Sequence, residues 1–452
     1  MMLKQSGVHN RAGRCRQGWR HTFSVAFIGC LFFFACSGTQ QLQASAPIHG
    51  EDLQFELLTV GLGEGPEARY GHTLLRVMNL KSGRSINVNW GLFDFNAPGF
   101  LLNFFLGKLR YWVGVENDSA VLRAYRDHEK RPVLIERLNL SIQQKEKLWQ
   151  RVREQLQPEK KYFWYQYFFR NCATFPRDYL DEVLEGRIRA EFSGKSASQS
   201  FRTYVRENLN KPPFFAFILD IVMNSRLDQE ISQWTEMFYP PKLREYLSQI
   251  PATDDNGNPL PDQMLLSEPR KLVDLPDVPS DAWQLHWFFA ALSGPLALMF
   301  LICLCASPGS RKNPRRGRIF SFLCTGACGG LWGIFSGSLG LIMLISWLFS
   351  DHADLHHNAN LWLFWPLDFM YILSPQILAK KQNRVGRRVV CFLRQISIAH
   401  IAAMICWILL SFTGIIVQDS SRVMIWIAPV AALIFLAIVR GTARKVLVSK
   451  GN

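Results

Sequence analysis

The sequence predicts two parts of different class: an exported α+β domain, then an all-α membrane domain of five helices. Three observations carry this. The N-terminus pairs a basic stretch with a short apolar one. Strand-like and helix-like patterns mix over residues 50–250. Beyond residue 283, five apolar segments succeed one another, joined by alternately basic and non-basic connections.

The leader comes first. Lys4, Arg11, Arg14, Arg16 and Arg20 precede Phe23–Ala35, a thirteen-residue, mainly apolar stretch. That falls short of the ~20 residues a bilayer crossing takes and matches a signal-peptide core. Ala44-Ser45-Ala46 has the small-x-small form of a cleavage site. Phe33-Phe34-Ala35-Cys36 loosely resembles a lipobox for lipidation at Cys36, and an uncleaved anchor is the third option. Each route exports the chain from residue 47 onward, so residues 1–46 read as signal peptide or anchor.

Residues 47–250 form the exported domain. Phe55–Val60, Thr73–Met78 and Ser85–Trp90 are β-prone runs, and Lys81-Ser82-Gly83-Arg84 reads as a hairpin turn between the last two. Ser141 is a natural N-cap for the amphipathic run Ile142–Leu156. A second helix is expected from Phe175 to Leu184, stopped by Gly186. Residues 251–282, rich in Pro and Asp, read as a linker to the membrane.

The membrane domain, 283–445, holds apolar segments at 284–306, 319–349, 359–379, 396–417 and 423–440. The second is Gly-rich and is expected to tilt, kink or end early. Residues 307–318, 380–395 and the tail after Arg440 are basic, whereas Asp351–Asp354 and Gln418–Arg422 hold one basic residue between them. The positive-inside rule then puts residues 47–280 outside the cytoplasm and the C-terminus inside. The net charge of +15 follows from this loop pattern and does not indicate nucleic-acid binding.

Cysteine placement carries the chemistry. Of ten cysteines, Cys15, Cys30 and Cys36 lie in the leader and six lie in or beside membrane segments, which leaves Cys172 alone in the exported domain. Exported cysteines normally pair, so an unpaired one points to a reactive thiol; the bland alternative is a buried structural residue. Asn171-Cys172-Ala173-Thr174 sits just before a helical run, where backbone N–H groups and the helix dipole favour a thiolate. Arg170 adds positive charge alongside. Pro176 would clash with Cys172 in a helix begun at the cysteine, so the helix starts at Thr174 or its first turn is irregular.

A cysteine nucleophile takes a base. The exported histidines are His49 at the ragged start, His128 in the charge run Arg126–Arg131, and His72 at the head of a strand. His72 is the best candidate, and the charge run reads as a solvated turn. A third group comes from the next strand as Asn89 or Asp94. With a two-residue turn at Ser82-Gly83, Asn89 faces the His72 side and Asp94 does not. No Cys-x-x-Cys or His-Glu-x-x-His lies outside the membrane segments, and Gly61–Pro66 lacks the Lys-Ser/Thr ending of a phosphate loop. Neither a metal nor a cofactor is expected.

An early-strand His followed by a helix-start Cys is the order of circularly permuted papain-like hydrolases, and Asn171-Cys172 resembles the Asn-Cys of lecithin:retinol acyltransferase-like enzymes. The whole combination resembles the Lnb-type bacterial apolipoprotein N-acyltransferases, on Tyr70-Gly71-His72-Thr73-Leu74-Leu75-Arg76, Asn171-Cys172-Ala173-Thr174 through Arg177-Asp178, Met237-Phe238-Tyr239-Pro240, and His357-Asn358-Ala359-Asn360-Leu361-Trp362 through Pro366-Leu367. The resemblance implies a permuted papain-like exported domain before a five-helix membrane domain. It implies a thioester on Cys172, with His72 as base, an acyl chain taken from a membrane phospholipid, and transfer to the α-amino group of a diacylglyceryl-cysteine lipoprotein. Asn89 serves as the third catalytic group in this reading, and Tyr70, Arg170 and Asn171 are expected near the substrate. His357, Asn358 and Asn360 either line an acceptor site beneath Cys172 or cap a membrane helix. The aromatic stretches Phe100–Trp112 and Tyr162–Phe169 are either a bilayer-facing surface or core. The alternative activity is a membrane-tethered cysteine peptidase or amidase on cell-envelope peptides, and a third class is a non-enzymatic receptor with an inert Cys172.

Overall fold

The computed structural model describes residues 49–94, 96–209, 213–277, 293–294, 326–373 and 384–448, so the leader and most of the first expected membrane segment lie outside it. His49–Asn452 group as one compact unit.

The described residues form nine strands: β1 (Leu53–Val60), β2 (His72–Asn79), β3 (Ser85–Leu92), β4 (Arg110–Glu116), β5 (Val133–Arg137), β6 (Tyr162–Trp164), β7 (Pro251–Thr253), β8 (Pro259–Met264) and β9 (Arg270–Val273). Seven form an antiparallel sheet in the order β6-β4-β3-β2-β1-β5-β9, with β7 and β8 as a separate ribbon. The expected linker is therefore corrected over 251–273. Its polar composition disguised short strands, and β9 borders β5 at the sheet edge.

The β2–β3 connection is a four-residue loop, Leu80–Gly83, closed by Asn79 N–H to Arg84 O at 2.8 Å, with Gly83 at φ 66°. Lengthening a hairpin loop by two residues preserves which side chains share a face. Leu74 pairs with Asn89, so Asn89 projects on the His72 side.

Two helices position the site. Ile142–Gln155 starts on a reciprocal capping box between Ser141 and Gln144 and buries Leu148, Trp149 and Val152. Thr174–Val183 lays Phe175 and Tyr179 against Trp90 of β3, ring centroids 6.2 and 5.9 Å apart. It stops at Gly186, whose φ of 82° lets its N–H reach Asp181 O at 2.8 Å.

In the apolar part, Cys328–Phe349 and Arg388–Phe412 are long and apolar enough to cross a membrane, and Val423–Val439 is a shorter apolar helix. The third expected span is corrected: between 359 and 373 the chain makes 3-10 turns at Ala359–Trp362 and Pro366–Leu373. The reason lies opposite. Gly333, Gly337 and Gly340 form a groove, and an added Cβ would stand 2.6 Å from Asp368 O, 2.8 Å from the Phe369 ring and 2.6 Å from Phe364 O. Backbone thus packs on backbone, as small-residue stripes permit; this close packing is what the Gly-rich segment provides.

One core joins the two parts. Phe168, Phe201, Phe217, Ile221 and Phe238 cluster with Trp332, Leu339, Met343, Phe364 and Tyr371. Polar ties flank it: Arg206 pairs with Asp419 at 2.5 Å, and Asn224 N–H donates to Asp354 O at 2.8 Å.

Candidate active site

Cys172 stands two residues before the Thr174–Val183 helix and is 8% exposed. Asn171 makes that entry. Its Oδ1 accepts from the N–H groups of Ala173 and Thr174, both at 2.9 Å, and its Nδ2 donates to Tyr167 O and Phe238 O at 2.7 and 2.9 Å. Thr174 Oγ1 in turn accepts from Asn171 N–H at 2.8 Å. Pro176 falls in the first turn, where an N–H has no acceptor to lose. Asn171, expected at the substrate, has all its side-chain hydrogen-bonding capacity engaged in holding the cysteine turn.

The thiol meets the backbone N–H of Thr73, the neighbour of His72, together with the N–H groups of Cys172 and Ala173. These contacts and Arg131 favour the thiolate, but burial is stronger and pushes the thiol up to about 11. His72 is lowered to about 4 by burial and then by Arg131, against its hydrogen bond to Asn89. Burial thus opposes the charged form of both groups, against the backbone N–H groups that favour a thiolate. The Arg170 guanidinium lies over the Phe163 and Phe175 rings at 5.7 and 5.6 Å.

A hydrogen-bonded chain orients the imidazole. His72 Nε2 lies 2.9 Å from Asn89 Oδ1, and Asn89 Nδ2 donates to Glu116 Oε2 at 2.7 Å. A carboxylate only accepts, so the Asn89 amide N–H must face Glu116 and its oxygen must face His72. That places the proton on Nε2 and leaves Nδ1 as the acceptor nitrogen of the ring. No thiol–imidazole hydrogen bond is present among the described residues, as is common before substrate tightens a site. Gly91 gives the ring room, since a Cβ there would stand 2.7 Å from His72 Cε1.

Asp94, the other candidate for the third group, is exposed and caps a turn by accepting from Asn96 N–H at 2.8 Å. Tyr70 packs against Phe238, tilted, and Tyr239, edge-on, both centroids 6.2 Å away. Asn358 and Asn360 donate to Ile221 O at 2.9 and 2.8 Å, and Asn358 Oδ1 accepts from Asn360 N–H and Gln418 Nε2. They fasten the membrane part to the exported domain. His357 lies by Trp347 at 4.6 Å, on a 490 Å³ cavity also lined by Trp362, Trp365 and Ile415. His352 reaches the exported domain's aromatic stretch, stacked on Tyr167 at 4.6 Å with Nε2 2.9 Å from its hydroxyl.

Residues not foreseen are Glu116, Arg131, and Tyr111 stacked on Tyr165 at 4.1 Å, both tyrosines within electrostatic range of the thiol. Glu116 shares a face with Asn89 through the β3–β4 register, a signal visible only once that pairing is known. The aromatic stretch divides: Phe163 and Phe168 are core, while Tyr162, Trp164 and Phe169 are exposed.

Residues 40–206 match the family model described as the Lnb N-terminal periplasmic domain. That span contains Cys172, His72, Asn89 and Glu116 and ends before the apolar helices. No curated protein and no solved structure matches the chain. The N-terminal region is thus similar to Lnb periplasmic domains, on a chain that continues into two helices long and apolar enough to cross a membrane.

Proposed function

We propose that the chain is a thiol-dependent acyltransferase of the bacterial inner membrane. It moves a fatty acyl chain from a membrane phospholipid, through a thioester on Cys172, to the α-amino group of a diacylglyceryl-cysteine lipoprotein. The observation that carries the reading is the continuity of the core that holds Asn171 in place with the core of the apolar helices. A hydrolase of soluble peptides has no use for such a junction, whereas an enzyme with two lipid substrates does. The finer architecture goes with this reading: a permuted papain-like domain, a helical membrane domain and a cytoplasmic C-terminus.

His72 Nδ1 takes the thiol proton as Sγ attacks the ester carbonyl. The Cys172 N–H, which has no carbonyl acceptor among the described residues, donates to the oxyanion. The ester C–O bond breaks and the imidazolium returns its proton to the departing lysophospholipid oxygen. The lipoprotein amine then attacks the thioester; an amide C–N bond forms, the C–S bond breaks, and the amine proton passes through Nδ1 to the sulfur. Asn89 and Glu116 hold the ring throughout. A neutral resting thiol suits this relay, because it stays unreactive until an ester enters.

Intact-mass spectrometry of the purified protein tests it. A fatty-acyl adduct removed by hydroxylamine and absent from Cys172→Ser is expected. Lipoprotein N-acylation that survives in Cys172→Ser would overturn the mechanism, and cleavage of envelope peptides without lipid would favour a peptidase. Complementation of a strain lacking lipoprotein N-acylation, with wild type, Cys172→Ser and His72→Ala, tests the acceptor.

A further inference from the structure

Arg131 ends the charged run that reads as a solvated turn, yet it is 4% exposed. Its Nε donates to Gly61 O at 2.8 Å and Gly61 N–H returns a bond to Pro132 O at 2.8 Å, so residues 131–132 are clamped to the end of β1. That strand end borders the site, because Val60 pairs with His72 and Gly71 lies against Val60 O. Nη1 pairs with Glu129 at 2.6 Å and the guanidinium covers the Tyr125 ring at 5.4 Å. Nη2 is buried with no partner among the described residues. Nearby, on the same Gly61–Gly71 loop, Arg69 is also buried and its Nε has no partner among those residues.

A buried guanidinium N–H left unmatched is costly, and a native fold normally satisfies it or reserves it. Glu129 is itself 43% exposed on its side chain and reaches only one nitrogen. The charge of Arg131 is felt by both Cys172 and His72. The clamp to the end of β1, where Val60 pairs with His72, puts an anion at Nη2 beside the strand end that borders the site.

We infer that Arg131, supported by Arg69, forms an anion subsite beside Cys172 that takes the phosphodiester of the acyl donor. The inference rests on the acyltransferase reading for its choice of donor. A glycerophospholipid carries its phosphate a few bonds from its esters, so anchoring the phosphate sets an ester carbonyl against the thiol. Arginine offers phosphate oxygens planar, charge-assisted donors.

The test is charge selectivity at the thiol, which needs no turnover. Cys172 of the full chain in uncharged detergent is alkylated with iodoacetate or neutral iodoacetamide and followed by peptide mass spectrometry. The iodoacetate preference, relative to a neutral small thiol, is expected to be about tenfold and to disappear in Arg131→Gln while persisting in part in Arg131→Lys. Short-chain phosphatidylglycerol below its micelle concentration should protect Cys172 at lower concentration than inorganic phosphate. No preference in wild type, or one unchanged in Arg131→Gln, overturns the subsite. Equal protection by inorganic phosphate overturns the lipid assignment. If Arg131→Gln does not fold, the wild-type preference and the Arg69→Gln variant decide. A charge preference without any acyl-enzyme would leave the subsite standing and remove the acyltransferase reading.

Discussion

Gly91→Ala probes the imidazole with a single methyl group. The added Cβ would stand 2.7 Å from His72 Cε1, where ordinary contact begins near 3.4 Å, and 3.3 Å from Asn89 Oδ1. Gly91 is not among the positive-φ glycines, so the backbone accepts alanine and the conflict is confined to the ring. The ring must retreat by about 0.7 Å, which strains its 2.9 Å bond to Asn89 and displaces the imidazole. A misplacement of about 1 Å costs on the order of 100-fold, so acyl-enzyme formation should slow by about 10- to 100-fold. The fold should lose little, about 1 kcal/mol, because the ring is only partly enclosed. Single-turnover intact-mass kinetics with phospholipid, alongside thermal unfolding, separate the two effects. Combining the change with Asn89→Ala should cost less than the sum of the singles, since both act on one ring. A Gly91→Ala enzyme with wild-type acylation kinetics, where His72→Ala is inactive, would refute the placement of His72 as the base.

Asn89→Ala should slow acylation by an amount matching a lost oriented hydrogen bond, about 1–3 kcal/mol. Glu116→Gln should cost much less, because an amide oxygen still accepts from Asn89; kcat for the pair checks the order. Because the folded His72 titrates near 4 against an ordinary value of 6.5, the unfolded chain binds a proton first as pH falls. Stability should therefore be fully present above about pH 6.5 and decline as pH falls toward 4, a slope that His72→Gln removes in thermal unfolding at stepped pH. Iodoacetamide should label Cys172 at neutral pH more slowly than a free thiol, since burial holds the folded thiol near 11. His357→Ala should leave acyl-enzyme formation unchanged, whereas the double change Asn358→Ala with Asn360→Ala strips both side-chain donors from Ile221 O. That should lower stability by about 1–3 kcal/mol in thermal unfolding.

Local chemistry made much of this legible. The first three strands, the Ser141 cap and the Gly186 stop are written in residues only a few positions apart, and face parity sufficed to choose Asn89 over Asp94. What escaped depends on partners distant in the chain. Arg131 belongs to a hydrophilic run and is buried only because Gly61 O, 70 residues away, takes its Nε. Glu116 acquires its role from strand pairing. An apolar composition over 359–373 looks like a span, and only the glycine face of the Cys328–Phe349 helix shows why a tightly turned chain is accommodated there. Asn171, expected near the substrate, has its four side-chain bonds committed to bracing the cysteine turn.

The shared core also determines what a break in the chain can accomplish. Phe217, Ile221 and Phe238 share one buried core with Trp332, Phe364 and Tyr371, so the covalent link between residues 273 and 328 is one attachment among several. Nicked there by a protease, the two fragments should remain together through solubilisation and elute as one species. Expressed as separate chains, they should find each other in the bilayer. Expressed without its partner, the periplasmic fragment would present that uncovered aromatic face to water and should aggregate.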